Sequence, residues 1–239
     1  MATETSRGFV EYFEDFVAWD IVADKPELAV DTDPVVEIVA GAGGEDGVLR
    51  ITMDAGQTNI GGALFGQLQW NIFDNGIEME ARVKLSAIGT ADERVGVWFT
   101  DLQEDTLSEY PFTIATTVAT AAADPNDAIG FFWEGNPTNK SWYPLSQNSD
   151  SLVIDGVTNV DSTRRTPPVA ATWQTLRMYV APGAKYAEFY VDGKLLYTYS
   201  GTTAAVADVL MIPVFGCTEG TTAINADLDY IWVRKPRIA

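Results

Sequence analysis

The chain has 239 residues, 46% of them hydrophobic, enough to bury a core without a metal or a disulfide. Its 34 acidic and 15 basic side chains give a formal charge of −19, which repels nucleic acid backbones and anionic membranes. With no histidine and a single cysteine, Cys217, it lacks the commonest general base, any Ser-His or Cys-His pair and any internal disulfide.

The opening Met1-Ala-Thr-Glu-Thr-Ser-Arg7 has no apolar run and is expected to form an arm over 1–7 without a secretory leader. No stretch reaches the length of a membrane span, so synthesis in the cytoplasm is expected. Residues 8–235 read as one domain, with 236–239 as a tail, because a β-sandwich of about 200–250 residues folds as one unit.

Along the chain, strands are predicted over 35–39, 48–53, 77–85, 94–100, 128–133, 152–154, 173–180, 187–191, 194–199, 209–215 and 228–233. The clearest is Ile77-Glu-Met-Glu-Ala-Arg-Val-Lys-Leu85, apolar at every odd position and charged at every even one. That alternation predicts a sheet packed on one side and wet on the other. It places Ile77, Met79 and Val83 in an inter-sheet core, with Phe189 and Val191 from a later strand. Glu78 and Glu80 are then relieved by cross-strand partners. Asp192-Gly193 between two apolar strands predicts a type I′ hairpin turn. Trp19, Trp70, Trp98, Trp173 and Trp232 fall in strand-like runs and are expected in the core. No internal repeat and no helical periodicity stand out, so the fold class is all-β, a two-sheet antiparallel sandwich.

Three connections are long: 113–127, rich in Ala and Thr; 135–151, carrying Asn, Pro and aromatics; and 161–172, with Arg164-Arg165 and Pro167-Pro168. Loops longer than about 12–15 residues are uncommon in compact domains and are often functional. Ile114, Val118, Trp142 and Tyr143 would supply apolar contact area to a neighbouring subunit.

The chemistry-bearing constellations are sparse. Glu78 and Glu80 lie roughly 6.5–7 Å apart on one strand face, near the spacing of a glycosidase pair. Arg82 and Lys84 beside them favour a solvated charge ladder over a proton donor. Asp124, Asn126 and Asp127, or Asp150 and Asp155, offer oxygens to Ca²⁺ but lack a recognisable loop spacing, and turn chemistry is the favoured reading. Neither a metal nor a cofactor is expected. Trp133, Trp142 and Tyr143, at or after a strand end in a polar loop, suit either local packing or a sugar or protein contact. Arg234, Lys235 and Arg237 form a basic patch, either solvated or docking on an acidic neighbour.

Several segments resemble concanavalin A-like, laminin G-like jelly rolls. They are Gly76-Ile-Glu-Met-Glu-Ala-Arg-Val-Lys84, Ala128-Ile-Gly-Phe-Phe-Trp133, Trp173-Gln-Thr-Leu-Arg-Met-Tyr-Val180, Glu188-Phe-Tyr-Val-Asp-Gly-Lys-Leu-Leu196 and Ala226-Asp-Leu-Asp-Tyr-Ile-Trp-Val233. The resemblance spans roughly 8–235 and implies fold rather than function. Tyr12-Phe-Glu-Asp-Phe16 and Ile129-Gly-Phe-Phe132, in an acidic chain, are also similar to structural proteins of tailed-bacteriophage virions. Glycoside hydrolases of this superfold carry a Glu-x-Asp-x-Glu strand, and Glu78-Met-Glu80 lacks the Asp, so the resemblance implies no enzyme. The similarity to virion proteins implies a virion protein, a capsid decoration or cement protein on the outer shell. The expected partners are other virion proteins, above all the major capsid protein, and further copies of itself, as a trimer. The alternative is a carbohydrate-binding lectin-like module or the receptor-binding domain of a tail fibre, with a glycan as ligand.

Overall fold

The computed structural model describes residues 3–4, 9–16, 27–30, 35–39, 47–55, 60–65, 69–88, 93–102, 110–115, 118–123, 125–135, 141–218, 220–221 and 223–236. Its elements in chain order begin with β1 (Thr3–Glu4), β2 (Phe9–Glu14), β3 (Glu27–Val30), β4 (Val35–Val39), β5 (Val48–Met53), β6 (Ile60–Leu64) and β7 (Trp70–Asn71). The single-turn helix α1 (Ile72–Asn75) precedes β8 (Ile77–Leu85), β9 (Arg94–Thr100), β10 (Phe112–Ala115), β11 (Val118–Ala121), β12 (Ala128–Glu134), β13 (Tyr143–Asn148) and β14 (Ser151–Asp155). After α2 (Gly156–Asn159) come β15 (Gln174–Val180), β16 (Tyr186–Val191), β17 (Lys194–Ser200), β18 (Leu210–Thr218) and β19 (Ile224–Pro236).

Among the described residues, two large antiparallel sheets form. One has nine strands on the path β1-β2-β19-β8-β15-β16-β17, with β5 on β19 and β4 on β5. The other has eight, β14-β13-β12-β9-β18-β6-β3, with β7 on β18. The two sheets enclose one apolar layer. Ile77, Met79, Val83, Phe189 and Val191 are at most 2% exposed within it, as the alternation requires. Each such side chain contributes about 1.5–3 kcal/mol relative to an exposed one. The β16–β17 turn also forms as expected, with φ of 50° at Asp192 and 72° at Gly193.

The segment 113–127, expected as a connection, contains most of a β10–β11 hairpin that pairs only with itself. The hairpin lies against the outer face of the eight-stranded sheet, where a second apolar cluster gathers. Trp98, Tyr110, Phe112 and Phe132 meet there with ring centroids 4.7–5.6 Å apart. A Cβ on Gly96 would come within 2.6 Å of Tyr110 Oη and 2.9 Å of Phe131 O. Glycine leaves room for the Tyr110 ring, just ahead of the hairpin, to pack on the sheet. Ile114 is therefore buried, at 5%, while Val118 is 52% exposed.

The segment 135–151 likewise holds a strand, β13, whose residues are nearly all buried. Residues 161–172 stay irregular. Of the tryptophans expected in the core, Trp70 and Trp98 are buried, whereas Trp173 and Trp232 are only half-buried. They sit under Lys84 (4.4 Å) and Arg234 (4.9 Å) respectively. Trp19 lies outside the described residues.

Candidate functional site

The outer face of the nine-stranded sheet is a lattice set by register. One row reads Glu11, Arg234, Glu78, Tyr179, Glu188 across β2, β19, β8, β15 and β16. The next reads Phe13, Trp232, Glu80, Arg177, Tyr190. Opposite charges and aromatic rings thus stand directly across from one another, the arrangement that stabilises antiparallel pairs.

The lattice closes around Glu78. Arg177 Nε donates to its Oε1 at 2.7 Å and Arg234 Nε to its Oε2 at 2.6 Å. A second nitrogen of each guanidinium adds to the same oxygens. Four N–H contacts match the roughly four lone-pair positions of a carboxylate. The Glu78 side chain is 8% exposed while Arg177 and Arg234 are 48% and 36% exposed. Glu78 is thus not the wet residue that the strand pattern predicts, and the guanidiniums form its roof. Glu80 accepts instead from the Tyr230 hydroxyl at 2.7 Å, and burial, reinforced by that bond, pushes Tyr230 up to about 12. Arg82 pairs with Asp229 and Lys84 with Asp227, so cross-strand partners do relieve the like charges of β8.

Beside this network lies a cleft of about 230 Å³ lined by Asn75, Ile77, Glu78, Tyr179, Val180, Pro182, Arg234 and Pro236. The α1–β8 junction shapes its rim. Gly76 has φ of 64°, and a Cβ there would come within 2.6 Å of Val180 O. Glycine permits the sharp turn that delivers Asn75 to the rim. Tyr179, on the opposite wall, is 37% exposed.

The outer face of the other sheet is occupied by its own chain. Ile114 N donates to Glu134 Oε2 at 2.6 Å, and Arg94 Nε stands 3.4 Å from the same oxygen. Trp98 Nε1 and Tyr110 Oη are buried beneath the hairpin with no hydrogen-bond partner among the described residues.

The expected contact residues scatter. Trp133, Trp142 and Tyr143 are 0–1% exposed and are corrected from surface candidates to packing residues. Trp133 and Trp142 lie between the sheets, with Trp142 Nε1 donating to Gln174, while Tyr143 joins the second cluster. Buried rings offer no face to a ligand. Arg234 does reach the cleft. Lys235, its neighbour, turns away, donating to Gln69 O at 2.9 Å above the Trp70 ring. Arg237 lies outside the described residues.

The oxygens considered for Ca²⁺ serve turns. Asp155 caps α2 through Val157 N and Thr158 N, and Asp127 accepts from Ala207 N at 2.7 Å. Asp124 lies outside the described residues, among which no three metal-ligating side chains converge.

Missed in the sequence were Asn75, Arg177, Tyr179, Tyr186 and Glu188. Tyr186-x-Glu188-x-Tyr190 carries a readable signal, since period two puts all three on one face. Tyr186 and Tyr190 donate to Glu188 at 2.5 and 2.8 Å and hold its carboxyl below the usual carboxylate range.

No family model and no curated protein matches the chain. Solved structures do. The carbohydrate recognition domain of Emp47p aligns with a TM-score of 0.60 at 12% identity, over 97% of this chain and 96% of that one. A protein of unknown function from Shewanella oneidensis MR-1 aligns at 0.57 and 16%, over 99% and 90%. A structure described under endo-acting O-glycanases of the human gut microbiota that initiate mucin breakdown aligns at 0.57 and 15%, over 95% and 99%. At such identities the likeness is one of fold, and the fold is a concanavalin A-like jelly-roll sandwich.

Proposed function

We propose that this chain is a non-catalytic carbohydrate-binding module whose sugar site is the cleft beside Tyr179. One observation carries the reading: an exposed tyrosine lines a cleft in which Glu78, the one carboxylate among the described lining residues, is engaged by two guanidiniums. A sugar has an apolar ring face and polar edges. Tyr179 suits the first, and Asn75 and Arg234 suit the second. At about 230 Å³ the cleft falls below the usual range for drug-sized ligands and fits a single ring. Both carboxylate oxygens of Glu78 are taken up by Arg177 and Arg234, so no hydrolytic step is assigned. The carbohydrate-recognition fold of Emp47p is consistent with this reading, which otherwise rests on the site.

Calorimetric titration against a panel of mono- and oligosaccharides tests it. At least one sugar should bind, and Tyr179→Ala should weaken that binding about ten-fold or more, equivalent to about 1.4 kcal/mol, with an unchanged circular dichroism spectrum. No binding across the panel, or sugar cleavage that disappears in Glu78→Gln, overturns the reading.

A second reading is a capsid decoration role in a virion, and Val118 favours it. An apolar side chain 52% exposed on a hairpin braced from beneath is a fitting contact for a shell protein. Deleting the hairpin would strip the cluster under it, so Val118→Asp is the better probe. Loss of co-sedimentation with capsids, at unchanged stability, is the outcome this reading requires.

A further inference from the structure

The cleft ends at Tyr179, but the exposed aromatic surface continues. Tyr179 on β15 stands opposite Glu188 on β16. Tyr186 and Tyr190 flank Glu188 two residues to either side, and both hydroxyls donate to it, at 2.5 and 2.8 Å. Residues two apart on a strand are roughly 6.5–7 Å apart. A tyrosine whose hydroxyl reaches its neighbour's carboxylate therefore lies along the strand instead of standing off the sheet. Tyr186 is 37% exposed, as Tyr179 is, while Tyr190 is half-buried with the Arg177 guanidinium 5.8 Å from its ring centroid. Two hydrogen bonds to one carboxylate restrict the rings before any ligand arrives, which lowers the ordering cost of binding.

We infer that the ligand is a linear oligosaccharide, with one sugar in the cleft on Tyr179 and a following unit on the Tyr186–Glu188–Tyr190 platform. This inference rests on the cleft being a sugar site and extends it. Diagonal neighbours on adjacent strands lie about 7–8 Å apart, a separation that suits separate units of one chain better than two faces of one ring. The groups between the rings also favour a sugar over a protein. Glu188 and Arg177 interrupt the aromatic surface with charge, whereas a protein hot spot needs a dry surround. Hydroxyls, which both donate and accept, match a carboxylate next to a guanidinium.

The test compares each common neutral hexose with its own linear oligomers of two to six units, on the intact chain, by calorimetry or a glycan array. Oligomers should bind at least about ten-fold more tightly than the monosaccharide. In Tyr186→Ala the ratio of the two dissociation constants should fall towards one, and Tyr186→Phe, which keeps the ring, should retain most of the gain. Equal affinity for monosaccharide and oligomers overturns the inference and leaves the single-ring site standing. So does a Tyr186→Ala variant that weakens both alike. Binding of none removes the sugar site itself.

Discussion

Glu78 is gripped from two sides by guanidiniums that are themselves about half exposed, and that geometry sets what its removal costs. Glu78→Gln leaves two adjacent cations without their shared anion under partial cover. The expected loss is about 1–3 kcal/mol, less than for a fully buried pair because Arg177 and Arg234 retain water. Glu80→Gln keeps an acceptor for Tyr230 and should stay within about 1 kcal/mol. Urea denaturation of the two variants separates them, and equal midpoints would refute the assigned roles. Alternation in β8 marks both glutamates as wet. It reads the direction of a side chain, but not the arginines that fold over one of them from strands some 100 and 156 residues away.

Asp127 offers a second test at this scale. Burial pushes its carboxyl up, against the bonds it accepts from the Ala207 and Ser149 backbones. A folded-state pKa above the unfolded one means the native state binds more protons, so the stability this group contributes is fully present below the ordinary carboxylate range. It is lost as pH rises through the raised value. Asp127→Asn removes that titration, and its stability should be flatter than wild type across the same window above the ordinary carboxylate pKa. Denaturant midpoints measured at several pH values check the sign. A wild-type midpoint that rises with pH there, relative to Asp127→Asn, would refute it.

Among the elements, the β10–β11 hairpin explains most. It has no backbone pairing with either large sheet, so it is held by the ring cluster and by the Ile114–Glu134 bond. Gly96→Ala would thrust a methyl towards Tyr110 Oη and Phe131 O. Overpacking of this kind costs about 1–3 kcal/mol, and it should loosen the hairpin before the sandwich. Hydrogen exchange in Phe112–Ala121 should accelerate while β8 and β15 stay protected; uniform acceleration would show that the hairpin is not a separable unit.

The same element shows where the sequence stops being legible. Segments with one wet face, such as 77–85, 173–180 and 187–199, were placed nearly to the residue because period two is visible there. Phe112–Ala115 and Val118–Ala121 lie in an Ala/Thr run of weak contrast. Tyr143–Asn148 is covered on both sides, so alternation vanishes, and its proline reads as a loop. Ile60–Leu64 carries two glycines and no apolar–polar alternation, so no strand is predicted there. The cleft is half legible: Arg234 stands out as a basic residue near the C-terminus, whereas Tyr179 and Asn75 acquire meaning only from register and from the bend at Gly76.

On the scale of the whole molecule, the two outer faces are unequal, and the charge of −19 bears on what can approach them. The chain's own hairpin lies on the outer face of the eight-stranded sheet, whereas among the described residues the nine-stranded sheet presents Tyr179 and Tyr186 on its outer face, each 37% exposed. A protein partner for so anionic a molecule must bring positive charge or bury enough apolar area to offset repulsion. Attraction to positive charge weakens with salt as the screening length falls from about 10 Å at 0.1 M to about 3 Å at 1 M. A neutral oligosaccharide carries no charge to screen. Its dissociation constant should therefore change by no more than about two-fold between about 0.05 and about 0.5 M sodium chloride, though the protein's own charges are screened over that range. Binding to a basic capsid surface should instead weaken several-fold. Titrations at four salt concentrations distinguish the two. A sugar affinity that falls steeply with salt would place charge at the centre of recognition and refute the neutral-ligand site on Tyr179 and Tyr186. A salt-insensitive sugar isotherm alongside salt-insensitive capsid binding would make the capsid contact at Val118 an apolar one and leave no part in it for a basic capsid surface.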